Sequence, residues 1–487
     1  MSYLDKTIEE LHELLVNKVI TPYDLTLEAI NKAKKDLNNS FETIIEDEAL
    51  EFASTLVEPE VDNLLWGIPY VAKDNLSTKG ILTTGSSDIL SDYIPPFDAT
   101  VIQKLKEKKA ILIGKTTLDE LAMGGTGTSG HKGYTYNPYD PSHKYMIGGS
   151  SCGSASSVAS NIVPFSLGSD TGDSIRKPAS YGGLVGMKPT WGRISRFGLF
   201  PFAPSMDHVG YFTRSIFDAA VVLEALEGHD ENDMTSSYKE GHFYSKNLSS
   251  SLNGKKIAII QEIYDSIHDD TIKNSFLKTL NYLKEAGAKV SFVSIDKEIL
   301  KAIFGTYFVL SCAEATSNNA NLDGIKFGLR CGEEKSYQEV MNKARSKGFG
   351  ELIKRRFVIG SYSLFKENQE ELFLLAQKAR RIIVNKVNEI FKSYDAIYAP
   401  CGGKIRNAFD SNDDRLDEDY LIAENHMAIG NFGGYPSLSL PIGLDNNFPY
   451  GANITGRPFE EQTVFDIAYC IENKTGLKNL SIERRKN

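Results

Sequence analysis

Two serines and one lysine are the residues of this chain whose types and spacing could do chemistry. Ser150 and Ser174 lie 24 positions apart in GGSSCGSASSVASNIVPFSLGSDTGDSIR, residues 148–176, and Lys73 lies upstream in GIPYVAKDN, residues 67–75. A serine hydroxyl attacks a carbonyl only when a base takes its proton. Neither stretch contains a histidine. The base that the chain offers is therefore Lys73, which burial and its neighbours must keep neutral.

The glycines around these serines permit a tightly turned backbone. Gly148, Gly149 and Gly153 flank Ser150, and glycine allows close approaches that other residues do not. Successive N–H groups in a tight turn, such as one formed by residues 168–174, can receive an oxyanion while a serine at its end attacks. A Gly/Ser-rich loop without any chemistry has the same composition. Composition alone leaves both interpretations open.

Three segments of the chain resemble the amidase signature family. Its members share G-G-S-S-x-G-S, then G-x-D-x-G-x-S-[IVL]-R, and upstream a lysine in G-I-P-x-x-x-K-D-N. The chain has all three in that order, at residues 148–154, 168–176 and 67–75, and the resemblance extends over about residues 5–478. It implies an α/β fold with a large mixed central sheet of about eleven strands covered by helices, and it implies amide hydrolysis as the reaction.

The resemblance implies a role for each of the three residues. Ser174 is the nucleophile, Ser150 the bridging serine after a cis bond from Gly149, and Lys73 the terminal base. For Lys73 to be neutral near pH 7, its charged form must be destabilised by roughly 4–5 kcal/mol. Desolvation or a positive neighbour can do this. The alternative is a charged Lys73 that forms an ion pair with Asp74.

The resemblance also implies how the reacting centre is held. The oxyanion hole consists of the backbone N–H groups of Thr171, Gly172, Asp173 and Ser174, and Asp170 and Arg176 brace this turn. A carboxylate about 6 Å from the oxyanion would oppose it by roughly 3 kcal/mol. We therefore expect the side chain of Asp173 to point away, into a hydrogen bond or an ion pair. The serines expected to pack around the site are Ser151, Ser154 and Ser169.

Further segments resemble one branch of this family, the glutaminase subunits of tRNA-dependent amidotransferases. They are KPTWGRISRFGLFPFAPSMDHVG (188–210), AEATSNNANLDGIKFGLR (313–330) and KGFGELIKRRFVIGSYSL (347–364). The resemblance implies that Arg356 binds the α-carboxylate of glutamine, that Glu424 binds its α-ammonium, and that Tyr307 adds a further contact. A guanidinium suits a carboxylate, and a carboxylate suits an ammonium group. Alternatively, Arg356 lies on a helix surface and Glu424 caps a helix.

This branch of the family implies partners rather than a bound cofactor. The chain would release ammonia to a B subunit, which uses ATP and Mg²⁺ to amidate Glu-tRNA(Gln), while a small C subunit completes a heterotrimer. The chain itself is expected to bind no cofactor and no metal. Two alternatives stay open: a stand-alone hydrolase of another small amide, and a non-catalytic scaffold subunit of the same complex.

Composition limits the function without deciding it. The 487 residues include 54 Lys and Arg against 64 Asp and Glu, a net charge of −10, which argues against a nucleic-acid surface of the chain's own. Five scattered cysteines without a CxxC pair fit a reducing cytoplasm. No apolar run approaches 18 residues, so we expect no membrane-spanning helix.

The elements that must position these residues follow an α/β pattern. We predict one domain over 1–487, with a mainly helical segment 1–60, a catalytic core 61–240 and a remainder 255–478 joined by a linker at 245–254. Buried strands are predicted at 110–114, 255–260, 289–295, 395–400 and 437–443, and helices at 270–286 and 366–393. Residues 125–130 fit GxGxxG, but they follow TTLDELAM, which is typical of a helix rather than the strand that dinucleotide binding needs. We expect this loop to line the amide pocket.

Overall fold

A mixed sheet of eleven strands runs through the residues that the computed structural model describes, which are 2–332 and 334–483. Across the sheet the strands follow the order β1-β3-β2-β4-β6-β5-β10-β11-β9-β7-β8. In chain order they are β1 (Phe41–Ile44), β2 (Pro69–Lys73), β3 (Ile111–Thr116), β4 (Phe165–Asp170), β5 (Val185–Lys188), β6 (His208–Thr213), β7 (Lys256–Ile260), β8 (Lys289–Val293), β9 (Ala396–Pro400), β10 (Ser437–Asp445) and β11 (Phe448–Gly456). This confirms the predicted fold class.

Helices lie between the strands along the described chain, and many of them pack against the sheet. They are α1 (Ile8–Val16), α2 (Pro22–Ala33), α3 (Glu46–Thr55), α4 (Thr100–Glu107), α5 (Cys152–Ala159), α6 (Arg176–Gly182), α7 (Ile216–Leu226), α8 (Gln261–Asp265), α9 (Asp270–Glu285), α10 (Lys297–Asn318), α11 (Tyr337–Gly348), α12 (Glu351–Leu364), α13 (Leu375–Phe391), α14 (Glu418–Asn425), α15 (Ile429–Phe432) and α16 (Glu461–Thr475). Capping boxes that begin with Thr7 and Thr21 start α1 and α2, because each threonine satisfies a free N–H group of the first turn.

The five predicted strands are all present, as β3, β7, β8, β9 and β10. The prediction that 289–295 is buried was wrong. Strand β8 lies at the edge of the sheet, and its Phe292 is 45% exposed. An edge strand has a neighbour on only one side, so part of its apolar surface stays in contact with solvent.

The predicted helices are also present. The helix expected at 270–286 is α9, which connects the parallel strands β7 and β8 in the predicted βαβ unit. The helix expected at 366–393 begins later, with a π-helical turn at Glu370–Leu374 that leads into α13. The stretch TTLDELAM forms only a 3-10 turn, Glu120–Ala122, after β3. The N-terminal segment adds β1 to the main sheet besides its helices.

The arrangement of three parallel strands positions the site. Strand β2 lies between β3 and β4 and is parallel to both, so the carboxyl ends of the three strands meet at one edge of the sheet. Ligand sites of open α/β sheets form at such edges. Lys73 is the last residue of β2 and Asp170 the last of β4. Helix α6 begins shortly after β4, and α5 precedes β4 in the chain. Ser174 and Ser150 lie just before the first turns of these two helices.

One helix of the described residues, Lys297–Asn321, is long and apolar enough to span a membrane by length and composition alone. It comprises α10 and the short turn that follows it. It packs against α12, α13 and α14. Contact with three other helices is typical of a helix inside a folded domain, which passes the same test of length and composition.

Candidate active site

The amine of Lys73 is surrounded by serine hydroxyls inside the protein. Its Nζ lies 2.7 Å from the Oγ of Ser150, 2.9 Å from the Oγ of Ser151 and 2.9 Å from the Oγ of Ser169. The Lys73 side chain is fully buried. The bond between Gly149 and Ser150 is cis, as the resemblance implies. The structure therefore brings Lys73 and Ser150 together.

The hydrogen bonds of the three serines differ. Ser151 donates its hydroxyl hydrogen to the carbonyl of Ser169, 3.0 Å away, so its oxygen is left to accept from Lys73. The hydroxyl of Ser169 already accepts from the Nδ2 of Asn75 at 3.0 Å. Among the described residues, Ser150 Oγ has no hydrogen-bond partner besides Lys73. Its hydrogen is free to be donated to the lone pair of a neutral amine.

Burial determines the protonation of Lys73. Desolvation lowers the pKa of its amine from 10.5 to about 7, against the more distant carboxylates of Asp119, Asp170 and Asp207, which raise it. The thiol of Cys152 lies nearby, and burial raises its pKa to about 12, so it carries no charge at neutral pH. Lys73 can therefore exchange a proton near pH 7.

A buried ion pair holds the turn that follows β4. Arg176 donates through Nε and Nη2 to the two carboxylate oxygens of Asp170, at 3.1 and 3.0 Å. Burial raises the pKa of Asp170, but the Arg176 guanidinium outweighs it and holds this pKa well below its usual range. Nη2 also donates to the carbonyl of Gly172 at 2.7 Å. These bonds fix the turn as a rigid unit.

The N–H groups of this turn are free to bind an anion. Among the described residues, the N–H groups of Gly172, Asp173 and Ser174 donate to no protein acceptor, whereas the N–H of Ile175 donates to Asp170. Thr171, the first residue of the predicted oxyanion hole, donates its hydroxyl to Asp207 at 2.6 Å. Free N–H groups in such a turn are what an oxyanion requires.

Ser174 lies beside the lysine cluster without bonding to it. Its carbonyl accepts from the N–H of Ser151 at 3.2 Å, which joins the turn after β4 to the start of α5. Its side chain is 3% exposed, and within the described residues its hydroxyl forms no hydrogen bond. The structure thus places Ser150 and Ser174 on adjacent backbone segments, with the two hydroxyls not hydrogen-bonded to each other.

The side chain of Asp173 lacks the hydrogen bond or ion pair that was expected for it among the described residues. Its half-buried carboxylate forms no hydrogen bond and no ion pair with any described residue. Lys177 is the nearby cation that could have paired with it, but Lys177 is bound to Glu424 instead. Burial raises the pKa of Asp173 to about 6, against the nearby charge of Lys177.

Arg356 has the free donor that a carboxylate ligand needs. Its guanidinium lies over the rings of Phe308 and Phe202, at 5.3 and 5.7 Å from their centroids. Its Nη1 is buried, and no hydrogen-bond partner for it lies among the described residues. A buried guanidinium nitrogen without a partner is costly. This position therefore favours the binding of an anionic group of a ligand. The helix-surface alternative fits its exposed neighbour Arg355 better.

Tyr307 and Glu424 come from two other helices, and they contact the turn after β4 and helix α6, respectively. Tyr307, on α10, lies so close to Gly172 that a Cβ on this glycine would be 2.9 Å from the ring. Glu424, on α14, accepts from Lys177 Nζ at 2.7 Å and from the N–H of Gly403 at 2.7 Å. Glu424 lies near the C-terminal end of α14 and so does not cap its start.

The loop at 125–130 is organised by one carboxylate. Asp119 accepts from the N–H groups of four consecutive residues, which are Thr126, Gly127, Thr128 and Ser129. A Cβ on Gly149 would collide with Asp119 and with the N–H groups of Thr126 and Gly127. The loop therefore lies against the Gly149–Ser150 bond, and four of its N–H groups are already bound by Asp119. No group of three or more metal-ligating side chains occurs within the described ranges.

Sequence reasoning missed two features of this site. It expected Ser151 and Ser169 to pack around and support the site, but it did not predict that both hydroxyls bind the Lys73 amine directly. It also did not consider Lys177, whose ion pair with Glu424 spans 247 residues of sequence. The only local signal for Lys177 is its spacing of four residues from Asp173, which places the two on one face of a helical turn.

Comparison with known proteins agrees with the fold. The amidase family model matches residues 24–465. The A subunit of glutamyl-tRNA(Gln) amidotransferase from Staphylococcus epidermidis is 38% identical over 486 residues, covering 98% of this chain and 99% of the relative. The crystal structure of the corresponding protein from Thermotoga maritima has a TM-score of 0.79 and 35% identity, covering 97% of this chain and 95% of that one. The peptide amidase from Stenotrophomonas maltophilia has a TM-score of 0.80 and 25% identity, covering 97% and 98%.

The chain belongs to the amidase family, and its fold is that of an enzyme of the amidase type. Within this family it is similar over nearly its whole length to the A subunit of glutamyl-tRNA(Gln) amidotransferase, as its sequence segments predict.

Proposed function

We propose that the chain is the glutaminase subunit of a tRNA-dependent amidotransferase. It hydrolyses glutamine and passes ammonia to a partner subunit that converts Glu-tRNA(Gln) to Gln-tRNA(Gln) in an ATP-dependent reaction. The observation that carries this proposal is the buried amine of Lys73, 2.7 Å from Ser150 and with a pKa of about 7. Such an amine can act as a base at neutral pH.

The reaction uses a relay of protons through two hydroxyls. Neutral Lys73 takes the proton of Ser150, and Ser150 takes that of Ser174, whose oxygen then bonds to the carboxamide carbon. The oxyanion of the tetrahedral intermediate is received by the N–H groups of residues 171–174. When the C–N bond breaks, ammonia leaves with the proton returned through the relay. Water attacks the resulting glutamyl ester by the same route and releases glutamate.

Glutamine is held by groups around the nucleophile turn. The buried Nη1 of Arg356 supports its role as the donor to the α-carboxylate. Tyr307, packed over Gly172, closes the site beside the reacting carbonyl. Glu424 is the predicted carboxylate for the α-ammonium, although its oxygens are shared with Lys177 and Gly403.

The partners follow from the relatives, which are named as subunits of an amidotransferase. We propose a heterotrimer with a B subunit, which uses ATP and Mg²⁺ and binds most of the tRNA, and a small C subunit. The net charge of −10 supports tRNA binding mainly by another subunit. We propose the cytoplasm as the location, in keeping with five cysteines that form no disulfide.

One experiment separates this function from its alternatives. The purified chain is incubated with glutamine alone, then with B and C subunits, ATP and Glu-tRNA(Gln), with Ser174→Ala as the inactive control. We expect glutaminase activity that depends on the partners and is lost in the control. If the wild-type chain shows no glutaminase activity in any mixture, it would instead be a scaffold subunit.

A stand-alone amide hydrolase is the second candidate, because the peptide amidase shares this fold at a TM-score of 0.80. The same experiment includes C-terminal peptide amides as substrates for the lone chain. Hydrolysis of these amides without partners, and no stimulation of glutamine hydrolysis by B and C, would favour this candidate.

A further inference from the structure

Asp173 is an unpaired carboxylate directly before the nucleophile. Its side chain is half-buried, and none of the described residues donates a hydrogen bond to it. The carbonyl of Asp173 accepts from the N–H of Lys177 at 2.9 Å. The two side chains therefore start from one face of the same helical turn. A partly buried charge without a partner costs stability, which calls for an absent cationic group.

The other carboxylate at this site, Glu424, is already paired with a cation of the protein. Both oxygens of Glu424 accept hydrogen bonds, one from Lys177 and the other from Gly403, and the side chains of Lys177 and Glu424 are 8% and 9% exposed. A buried ion pair is held by its mutual attraction. Glu424 therefore offers little net negative charge to a second cation.

Asp173 lies next to one of the other predicted substrate contacts, because the ring of Tyr307 packs against Gly172, the residue before Asp173. Burial raises the pKa of the Tyr307 phenol, and the charges of Arg356 and Asp173 act on it with opposite signs. Near Tyr307 there are thus a carboxylate, Asp173, and a guanidinium, Arg356 on α12, whose Nη1 has no partner among the described residues. One anion and one cation close together complement a zwitterion such as a free α-amino acid.

We propose that the carboxylate of Asp173 receives the α-ammonium group of glutamine, while Lys177 and Glu424 form a neutral pair behind it. This inference rests on the proposed glutaminase function, and within it Asp173 takes the place of Glu424 as the contact of the α-ammonium. Asp173 is then a substrate-binding residue. Once its charge is paired with the ammonium, it no longer opposes the oxyanion in the neighbouring turn.

The test compares two amides on the assembled complex with B and C subunits. L-glutamine carries the α-ammonium, whereas glutaramic acid keeps the carboxylate and the carboxamide but lacks the amine. We expect Asp173→Asn to raise the KM for glutamine about 10–100-fold, because a charge-assisted hydrogen bond is lost. We expect kcat for glutamine to stay within about threefold, and kcat/KM for glutaramic acid not to fall.

Two matched variants keep the test decisive. Glu424→Gln should raise the KM for glutamine less than Asp173→Asn does, and Asp173→Gly serves if the asparagine variant does not fold. An equal loss of kcat/KM with both amides would overturn the proposal. It would indicate that the Asp173 side chain supports the oxyanion turn rather than the ammonium group. A selective rise with Glu424→Gln alone would overturn it in favour of Glu424. If the wild-type complex does not hydrolyse glutamine, the proposed function fails, independently of Asp173.

Discussion

Asp74 forms its ion pair with Lys115, 3.3 Å away, and not with Lys73, its neighbour in sequence. Successive side chains of a strand point to opposite faces of the sheet. Lys73 ends β2 on the face of the serines, and Asp74 therefore turns to the other face, where Lys115 of β3 lies. All three side chains are fully buried. The alternative of a charged Lys73 paired with Asp74 is not realised.

We predict that Lys115→Met destabilises the protein by about 3–5 kcal/mol, because it leaves the buried charge of Asp74 without its cation. Burial already raises the pKa of Asp74, and Lys115 opposes that rise. In the variant, the loss of folding free energy should therefore grow as the pH rises and Asp74 ionises. Thermal unfolding at two pH values measures it.

The double variant Asp74→Asn/Lys115→Met is the control for this prediction. It removes both charges, so it should recover part of the lost stability. An unchanged melting temperature in the single variant would mean that the pair contributes nothing to folding.

Lys73→Met should abolish activity without loss of stability. Removing a general base typically lowers turnover about 10²–10⁴-fold. The pKa of Lys73 is about 7 in the folded protein, against 10.5 ordinarily, so between these values the unfolded chain binds the extra proton. Lys73 therefore penalises folding, and wild-type stability should rise with pH from about 7 towards 10.5. Methionine removes this penalty.

Glutaminase assays and thermal unfolding at pH 7 and pH 9 measure both effects, with Ser174→Ala as an inactive variant that keeps Lys73. Normal turnover in Lys73→Met would remove Lys73 from the mechanism. A melting temperature well below that of the wild type would show that its hydrogen bonds to the serines matter more than its burial.

The pH dependence of turnover should follow Lys73 with a definite sign. The neutral amine is the active form, so kcat at saturating glutamine should be constant above about pH 7 and fall about tenfold per pH unit below it. Saturating substrate keeps Asp173, whose pKa burial raises to about 6, paired with its ligand. A profile that is flat between pH 5.5 and 8 would contradict the assignment of the base.

The local motifs were predictable and the long-range pairings were not. Lys73, Ser150 and Ser174 stand in short segments whose order identifies the family, and β7 or β9 are contiguous apolar runs. The exposure of β8 depends on its place at the sheet edge, which no local pattern encodes. The carboxylate of Asp173 is left free because Lys177, the nearby cation, pairs with Glu424 instead. Glu424 lies 247 residues further along the chain than Lys177.

Arg356 and Arg355 are adjacent on α12 and give a matched pair of variants. Arg356 has a buried Nη1 without a partner among the described residues, whereas Arg355 is exposed. We predict that Arg356→Ala raises the KM for glutamine about 10–100-fold with kcat little changed, because the lost contact to the α-carboxylate serves ground and transition states equally. Arg355→Ala should leave both constants unchanged. Steady-state glutaminase kinetics of the complex measure them, and equal behaviour of the two variants would remove Arg356 from the site.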